Sequence, residues 1–270
     1  MDSKTFLNNI RESALSMVHF ANASHIGSCL SMAHILTILY NEILDIDLIK
    51  SNSNNRDRFV LSKGHATAIL YATLAEVNLI PKSELATYCQ KGSRLLGHAS
   101  HFVPGVELST GSLGHGLPFS TGIAWGLKCN GSKAKSYCLV SDGEMDEGSN
   151  WEAILFAGHH KLNNLVLIID YNKIQSLGNV KDVLDLEPFV SKLESFQWNV
   201  IELDGHDFDV LRKTFIEIDH IDSFQTKPTV ILAHTIKGKG IPFMENNNMW
   251  HYKSPSVDQL EESFNVLKNL

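Results

Sequence analysis

No stretch of this sequence approaches the roughly 20 consecutive apolar residues that a bilayer-spanning helix needs, so no membrane role is expected. Cysteine is sparse. The four residues, Cys29, Cys89, Cys129 and Cys138, include no C-x-x-C pair, which removes a zinc ribbon or a redox motif from consideration. In a chain of this size they read as free thiols of a reducing compartment. Proline is scarce, with seven residues, and no linker rich in Pro or Gly, internal repeat or low-complexity tract interrupts the chain. Positive charge is also short: 23 Lys and Arg against 30 Asp and Glu leave a formal net charge of −7. That balance disfavours nonspecific nucleic-acid binding. Met1-Asp2-Ser3-Lys4 opens an amphipathic pattern and not a signal peptide, so the cytoplasm is the expected location.

What is present is an ordinary globular composition, 43% hydrophobic and 20% charged over 270 residues. A chain this long can bury about three quarters of its unfolded surface without staples. Phe6, Leu7, Ile10, Ala14, Met17 and Val18 recur at helical spacing, with Asp2 or Ser3 as the cap. A second, largely apolar helix is expected from about Ser31 to Leu44. A polar loop over residues 51–58 precedes a short strand at Phe59–Leu61 and a helix over Ala66–Val77. From about Gly92 to Gly116 regular periodicity disappears and Gly, Ser and His accumulate; so long an irregular stretch is usually functional or disordered, and this composition favours function. A small-residue helix is expected over Ser120–Leu127.

Beyond it the chain alternates. Tyr137–Val140, Leu165–Ile169, Val200–Leu203 and Thr229–Ala233 read as strands. Trp151–His160, Pro188–Phe196 and Asp209–Ile218 read as helices between them. Alternation with near-continuous apolar strands predicts an α/β fold, a parallel twisted sheet with helices on both faces. Residues 1–270 are expected to form a single domain with N-terminal helical additions. Ligands of such sheets bind beyond the C-terminal strand ends, which is where the polar motifs fall.

The strand Tyr137–Val140 runs into Ser141-Asp142-Gly143-Glu144, and the strand Leu165–Ile169 into Asp170-Tyr171-Asn172-Lys173-Ile174. An Asp-Gly after a strand is by itself an ordinary turn. A carboxylate and an amide oxygen at two adjacent strand ends, however, suit a hard cation whose shell is completed by water and phosphate oxygens. Gly143 permits close backbone approach, and a helix beginning near Ser149 favours negative charge at its N-terminus.

The histidines divide. His19 and His34, on apolar helices, read as satisfied structural residues. His159-His160 ends a helix, where a cation suits the dipole. His98 and His101 have no further Cys or His at zinc-finger spacing. Lys237-Gly238-Lys239-Gly240 lacks the spacing of a Walker loop and reads as a solvated loop or a weak anion patch.

Longer blocks carry more. Asp142-Gly143, Glu147-Gly148 and then Asn172 resemble the thiamine-diphosphate motif, with Ser141 in place of its first glycine. Ser24–Ser28, Asp57–Ala66, Leu96–His98 with Pro104–Glu107 and Thr110–Gly116, and Lys237–Gly240 with Trp250-His251 resemble, in order, blocks of the transketolase family. The resemblance implies a diphosphate-binding fold that uses thiamine diphosphate and Mg²⁺, or another divalent cation such as Ca²⁺ or Mn²⁺. It implies that Asp142, Asn172 and the Ile174 carbonyl hold the metal. Ser28, Gly111, Ser112, Leu113, Gly143, Glu144 and Lys237 would border the cofactor. His25 and His251 would act at substrate hydroxyls, His65 near the diphosphate and reacting carbon, and His98 on a donor hydroxyl.

No segment resembles the family's pyrimidine domain. The resemblance therefore implies a separate C-terminal subunit carrying it, in an α₂β₂ assembly, with Glu147 at the interface. The implied activity is transfer of a two-carbon ketol unit from a ketose phosphate to an aldose. Other thiamine-diphosphate reactions stay open, among them deoxyxylulose-phosphate-type condensation and sulfosugar, branched-sugar or secondary-metabolite transfer. A non-catalytic scaffold subunit is the remaining alternative.

Overall fold

The structure is a computed structural model and describes residues 1–220 and 226–269. Helix α1 (Ser3–Phe20) is capped by Asp2, whose carboxylate accepts the Thr5 N–H at 3.0 Å, and all six apolar positions read from the sequence are buried in it. The helix expected over 31–44 is instead divided. Helix α2 (Ile26–Ser31) gives way at Met32 to α3 (Ala33–Ile38), which ends in a π-helical turn over Leu39–Ile43. Helix α4 (Ile46–Lys50) leads to strand β1 (Arg58–Leu61), followed by α5 (Thr67–Glu76). Residues 88–115 carry no helix or strand. They are held instead by burial of Leu95, Ala99 and Val103 and by the Thr110 hydroxyl, which donates to the Leu61 carbonyl at 2.6 Å.

Helix α6 (Gly116–Cys129) starts four residues before the expected Ser120. Its Gly116 and Pro118 lie in the first turn, where proline is tolerated because no helical acceptor awaits its missing N–H. There follow β2 (Ser136–Ser141), α7 (Gly148–His159), β3 (Leu165–Tyr171), α8 (Val180–Val183), α9 (Phe189–Ser195), β4 (Asn199–Asp204), α10 (Phe208–His220), β5 (Thr229–His234) and α11 (Val257–Lys268). The last helix lies in a stretch where no element is read from the sequence. Ser256 and Gln259 form a reciprocal capping box at its start, and it packs on α1.

Among the described residues, five strands form one parallel sheet in the order β1-β2-β3-β5-β4. Alternating side chains feed two cores. Val166 and Ile168 join the core on the side of α1, α3, α5 and α10, while Leu165, Leu167 and Ile169 join that under α6, α7 and α9. Period-two alternation in which both faces are apolar is what two covered faces require. The β2–β3 register pairs Ser141 with Asp170. It therefore delivers Asp142 and Asn172 side by side beyond the C-terminal sheet edge.

Gly158 shows how tightly α7 is fitted. A Cβ there would lie 1.9 Å from the Phe196 carbonyl oxygen. On an open helix face Gly→Ala gains up to about 1 kcal/mol. Here Gly158→Ala should reverse that sign and cost about 1–3 kcal/mol through overpacking. Urea unfolding of the two proteins measures it; an equally stable or more stable variant contradicts the close approach.

Candidate active site

The strand ends, the loop after β1, the irregular segment and the stretch after β5 enclose a cleft of ≈ 240 Å³. Its floor starts with Asp170, the last buried polar residue of β3 before Tyr171 and Asn172. Burial alone would raise its pKa, but Lys63, Ser31 and Thr235 outweigh that and hold it below the usual carboxylate value. Lys63 pairs with its Oδ2, and both side chains are almost wholly inaccessible, at 1% and 0% exposure. The Ser31 hydroxyl donates to the same oxygen and Thr235 to the other. The Lys63 ammonium also donates to the Ser28 carbonyl at 3.2 Å.

Above this floor lie the expected metal-binding atoms. Asp142 is 1% exposed. Its two carboxylate oxygens accept the N–H of Gly143 at 2.7 Å and of Lys173 at 2.6 Å. Burial first, and then Asp170, push its pKa up to about 6. Asn172 Oδ1 accepts the Ile174 N–H at 3.1 Å. Each of these oxygens keeps lone pairs to spare. Asp142, Asn172 and Ile174 all border the cleft, and a carboxylate, an amide and a peptide oxygen form a donor set suited to a small hard cation that keeps water or phosphate ligands. At Gly143 a Cβ would stand 2.8 Å from Gln175 Cγ, so Gln175 lies against bare backbone.

The four candidate histidines converge. Ring centroids lie 5.2 Å apart for His25–His65, 5.8 Å for His25–His98, 4.9 Å for His25–His251 and 5.7 Å for His65–His251. His25 caps α2 in the left-handed region at φ 73°. Its N–H donates to the His251 carbonyl at 2.9 Å, which ties together two residues far apart in the chain. Non-glycine backbone held at positive φ is uncommon and concentrates at functional sites. Gly111 lets His98 lie close: a Cβ there would be 3.1 Å from the imidazole.

Three of these rings are held neutral at physiological pH. Burial first, then His98, Lys237 and Lys63, pull His25 down to about 4. Burial, Lys237 and His25 pull His251 down to about 3. His65 is held well below the usual histidine value, by burial and then by Lys63. Lys237 donates to the Ile174 carbonyl at 3.0 Å and meets His251 Nδ1 at 3.2 Å. An ammonium can only donate, so His251 Nδ1 accepts and its ring proton sits on Nε2. Burial and Lys63 lower Lys237 itself to about 8.

Of the residues singled out in the sequence, His25, Ser28, His65, His98, Gly111, Leu113, Asp142, Gly143, Asn172, Ile174, Lys237 and His251 border the cleft. Three do not. Ser112 is exposed beside it. Glu147 is exposed, with its stem packed on Gly114. Glu144 is fully buried; it accepts from the Ser62 hydroxyl, from the Gly114 N–H at 2.9 Å and from the Ser141 N–H at 3.3 Å. It braces the walls and turns no atom to the cleft. The helix expected near Ser149 begins at Gly148, and a 3₁₀ turn, Gly143–Asp146, precedes it. Lys63, Gln175 and Ser176 border the cleft without having been singled out. The available signal for Lys63 is a lysine two residues beyond an apolar strand.

A cleft of this build at the C-terminal edge of a parallel sheet places the chain in the thiamine-diphosphate-binding class of α/β proteins. The family described as "Transketolase, thiamine diphosphate binding domain" matches residues 2–264. The chain belongs to the transketolase family. It is similar to an apulose-4-phosphate transketolase subunit of Actinobacillus succinogenes, 44% identical over 91% of this chain and 88% of that protein. The corresponding apulose-4-phosphate transketolase subunit of Phocaeicola vulgatus is 39% identical over 94% of this chain and 89% of its own length. Among solved structures, transketolase from Campylobacter jejuni superposes with a TM-score of 0.89 at 30% identity, covering 99% of this chain but only 43% of that one. Among the described residues, no helix is long and apolar enough to cross a membrane.

The depressed histidines have a consequence for stability. Below pH 6.5 the unfolded chain binds protons at these rings, whereas folded His25 resists doing so until about pH 4. Stability from this group is thus full above the unfolded value and is lost as the pH falls through that window. His25→Gln should reduce the acid-side slope of stability between pH 6.5 and 4. Denaturant titrations at stepped pH measure the slope, and an unchanged one excludes a depressed His25.

Proposed function

We propose that this chain is the diphosphate-binding subunit of a two-subunit transketolase, active only with a partner subunit that carries the pyrimidine domain, in an α₂β₂ assembly. It transfers a two-carbon ketol unit from a ketose phosphate to an aldose. One observation above all supports this reading: four imidazoles, three of them held neutral, surround the same cleft as the Asp142–Asn172 oxygen pair.

Bound thiamine diphosphate supplies the carbanion-stabilising chemistry for breaking and remaking a carbon–carbon bond. The chain supplies position, charge and proton transfer. Asp142, Asn172 and the Ile174 carbonyl would hold Mg²⁺, or Ca²⁺ or Mn²⁺, which would neutralise diphosphate charge. Lys237 offsets phosphate charge. Ser28, Gly111 and Leu113 line the cofactor, with Ser112 beside them. Glu144 serves from beneath, by fixing Ser62 and Gly114. A neutral imidazole can take a proton from a sugar hydroxyl and return it. His25 and His251 do so at substrate hydroxyls. His98 holds a donor hydroxyl, and His65 sits near the diphosphate and the reacting carbon. Glu147, exposed at the rim, meets the partner subunit. Residues 1–270 act as one diphosphate-binding domain, in the cytoplasm.

The names of the two bacterial relatives favour a more specific donor, apulose 4-phosphate, over the common ketose phosphates. A panel of ketose phosphates, offered to the reconstituted pair with product analysis, discriminates between these donors. Release of a decarboxylated product from a 2-oxoacid overturns ketol transfer.

Two outcomes test the subunit reading and the metal site. Purified chain alone should show no ketol transfer, and activity should appear on adding the partner; robust activity from the chain alone sinks the two-subunit reading. Asp142→Ala, in the reconstituted pair, should raise the Mg²⁺ concentration for half-maximal thiamine diphosphate binding by about tenfold or more, the scale on which even supporting contacts of metal ligands act. Calorimetry reads this, and an unaltered metal requirement takes Asp142 out of the site.

A further inference from the structure

Behind the cleft wall lies a histidine pair that the proposed chemistry does not use. His34, on α3, is 8% exposed. His206 follows β4. Their Nδ1 atoms approach to 3.1 Å, with ring centroids 4.7 Å apart, and Phe208 packs against His34 at 5.1 Å. On its other side, His206 Nε2 receives the backbone N–H of Ile236 at 2.8 Å. Ile236 directly precedes Lys237.

These contacts fix the protonation of both rings. A peptide N–H can only donate, so His206 Nε2 carries no proton. The proton of the neutral ring is then on Nδ1, which donates to His34 Nδ1. His34 in turn keeps its proton on Nε2. The chain of donors is consistent in this direction alone. Both rings stay neutral: burial, followed by Lys239 and with Arg11 acting the same way against Asp170 and Asp204, lowers His206 to about 4. Burial, Arg11, His206 and Lys239 lower His34 to about 2.

The stretch after β5 is pinned at successive points. Thr235 donates to Asp170, Ile236 to His206, and the Gly238 N–H to the Gly27 carbonyl at 2.9 Å. Gly238 at φ 82° and Gly240 at φ 94° make a turn whose backbone no other residue adopts easily, and Gly240 lies against the Arg11 guanidinium. Between these pins, Lys237 reaches back to Ile174 and His251. We propose that His206 is a positioning residue for Lys237: its unprotonated Nε2, kept so by His34, sets where the loop over 235–240 leaves β5 and hence where the Lys237 ammonium stands in the cleft. This rests on the reading that Lys237 meets the diphosphate of the cofactor.

Three measurements on the full chain with its partner test it. Nitrogen-15 imidazole spectra of the wild type should show His206 protonated at Nδ1 and unprotonated at Nε2. His206→Leu removes the acceptor and should weaken thiamine diphosphate binding about tenfold or more, since displacements of about 1 Å are costly in preorganised sites. Turnover at saturating cofactor should fall much less. His206→Gln, whose amide oxygen reaches about as far as Nε2, should recover most of the affinity. A merely structural role would not split affinity from turnover, nor be rescued by Gln. The proposal is overturned by a ring protonated at Nε2, by wild-type affinity in the Leu variant, or by equal losses in Leu and Gln. If the Leu variant does not fold, the wild-type spectrum and the Gln variant decide. A wild-type pair that binds no thiamine diphosphate sinks the functional reading and this proposal together, whereas normal wild-type binding with an indifferent Leu variant sinks the positioning role alone.

Discussion

The Lys63–Asp170 pair is the contact on which the cleft depends. Asp170 closes the apolar run of the central strand and has no access to solvent. An unpaired carboxylate there is untenable, and removing one member of such a pair typically costs about 3–5 kcal/mol. The cost obliges four segments to meet. Lys63 comes from the loop after β1, Ser31 from α2, Thr235 from the end of β5, and Asn172 Nδ2 lies 3.4 Å away. Each segment carries a residue of the cleft within a few positions: His65, Ser28, Lys237 and Asn172 itself. The carboxylate thus works as a knot that brings together elements whose own strands and helices would otherwise only be near one another.

Much of the framework was legible because it follows from periodicity. The four strands after residue 130 are all readable, since apolar runs of this length between helical patterns have few other solutions. What failed was local. The apolar stretch 31–44 reads as one helix because every position from Ser31 to Tyr40 is buried, and periodicity cannot report a break at Met32 when all faces are apolar. The early start of α6 is hidden by Gly116 and Pro118, which read as breakers although a first turn accepts them. Helix α11 has its signal in Ser256 and Gln259, but the short polar stretch after Trp250-His251 masks it.

The site was legible in a different way. Individual histidines carry almost no information, and only their neighbouring blocks separate His25, His65, His98 and His251 from His19 or His34. Glu144 shows the limit of that approach. A carboxylate within the Asp142–Gly148 block is a natural candidate for the cofactor, yet burial turns it toward Ser62 and Gly114. Lys63 shows the reverse. Its block is recognisable, but nothing in the sequence says that Asp170 is its partner, because that meeting depends on strand order. His206 is invisible for the same reason: its acceptor role exists only where the β4 and β5 ends lie side by side.

The electrostatics of the cleft join its two tasks. Lys237, and behind it the Asp170-paired Lys63, place positive charge at the cleft, and the same two cations help keep His25 and His251 neutral. An arriving anion would offset their charge and so favour protonated rings. For both rings, however, burial is the larger cause of the depression and the lysines add to it. Burial is not relieved by a ligand that fills the cleft; a bound cofactor and sugar displace water and deepen it. A divalent cation held beside Asp142, as proposed, would add positive charge while a diphosphate added negative. Neutral imidazoles are therefore compatible with an anionic ligand at close range, because their neutrality is set mainly by the low-dielectric walls and only secondarily by the lysines.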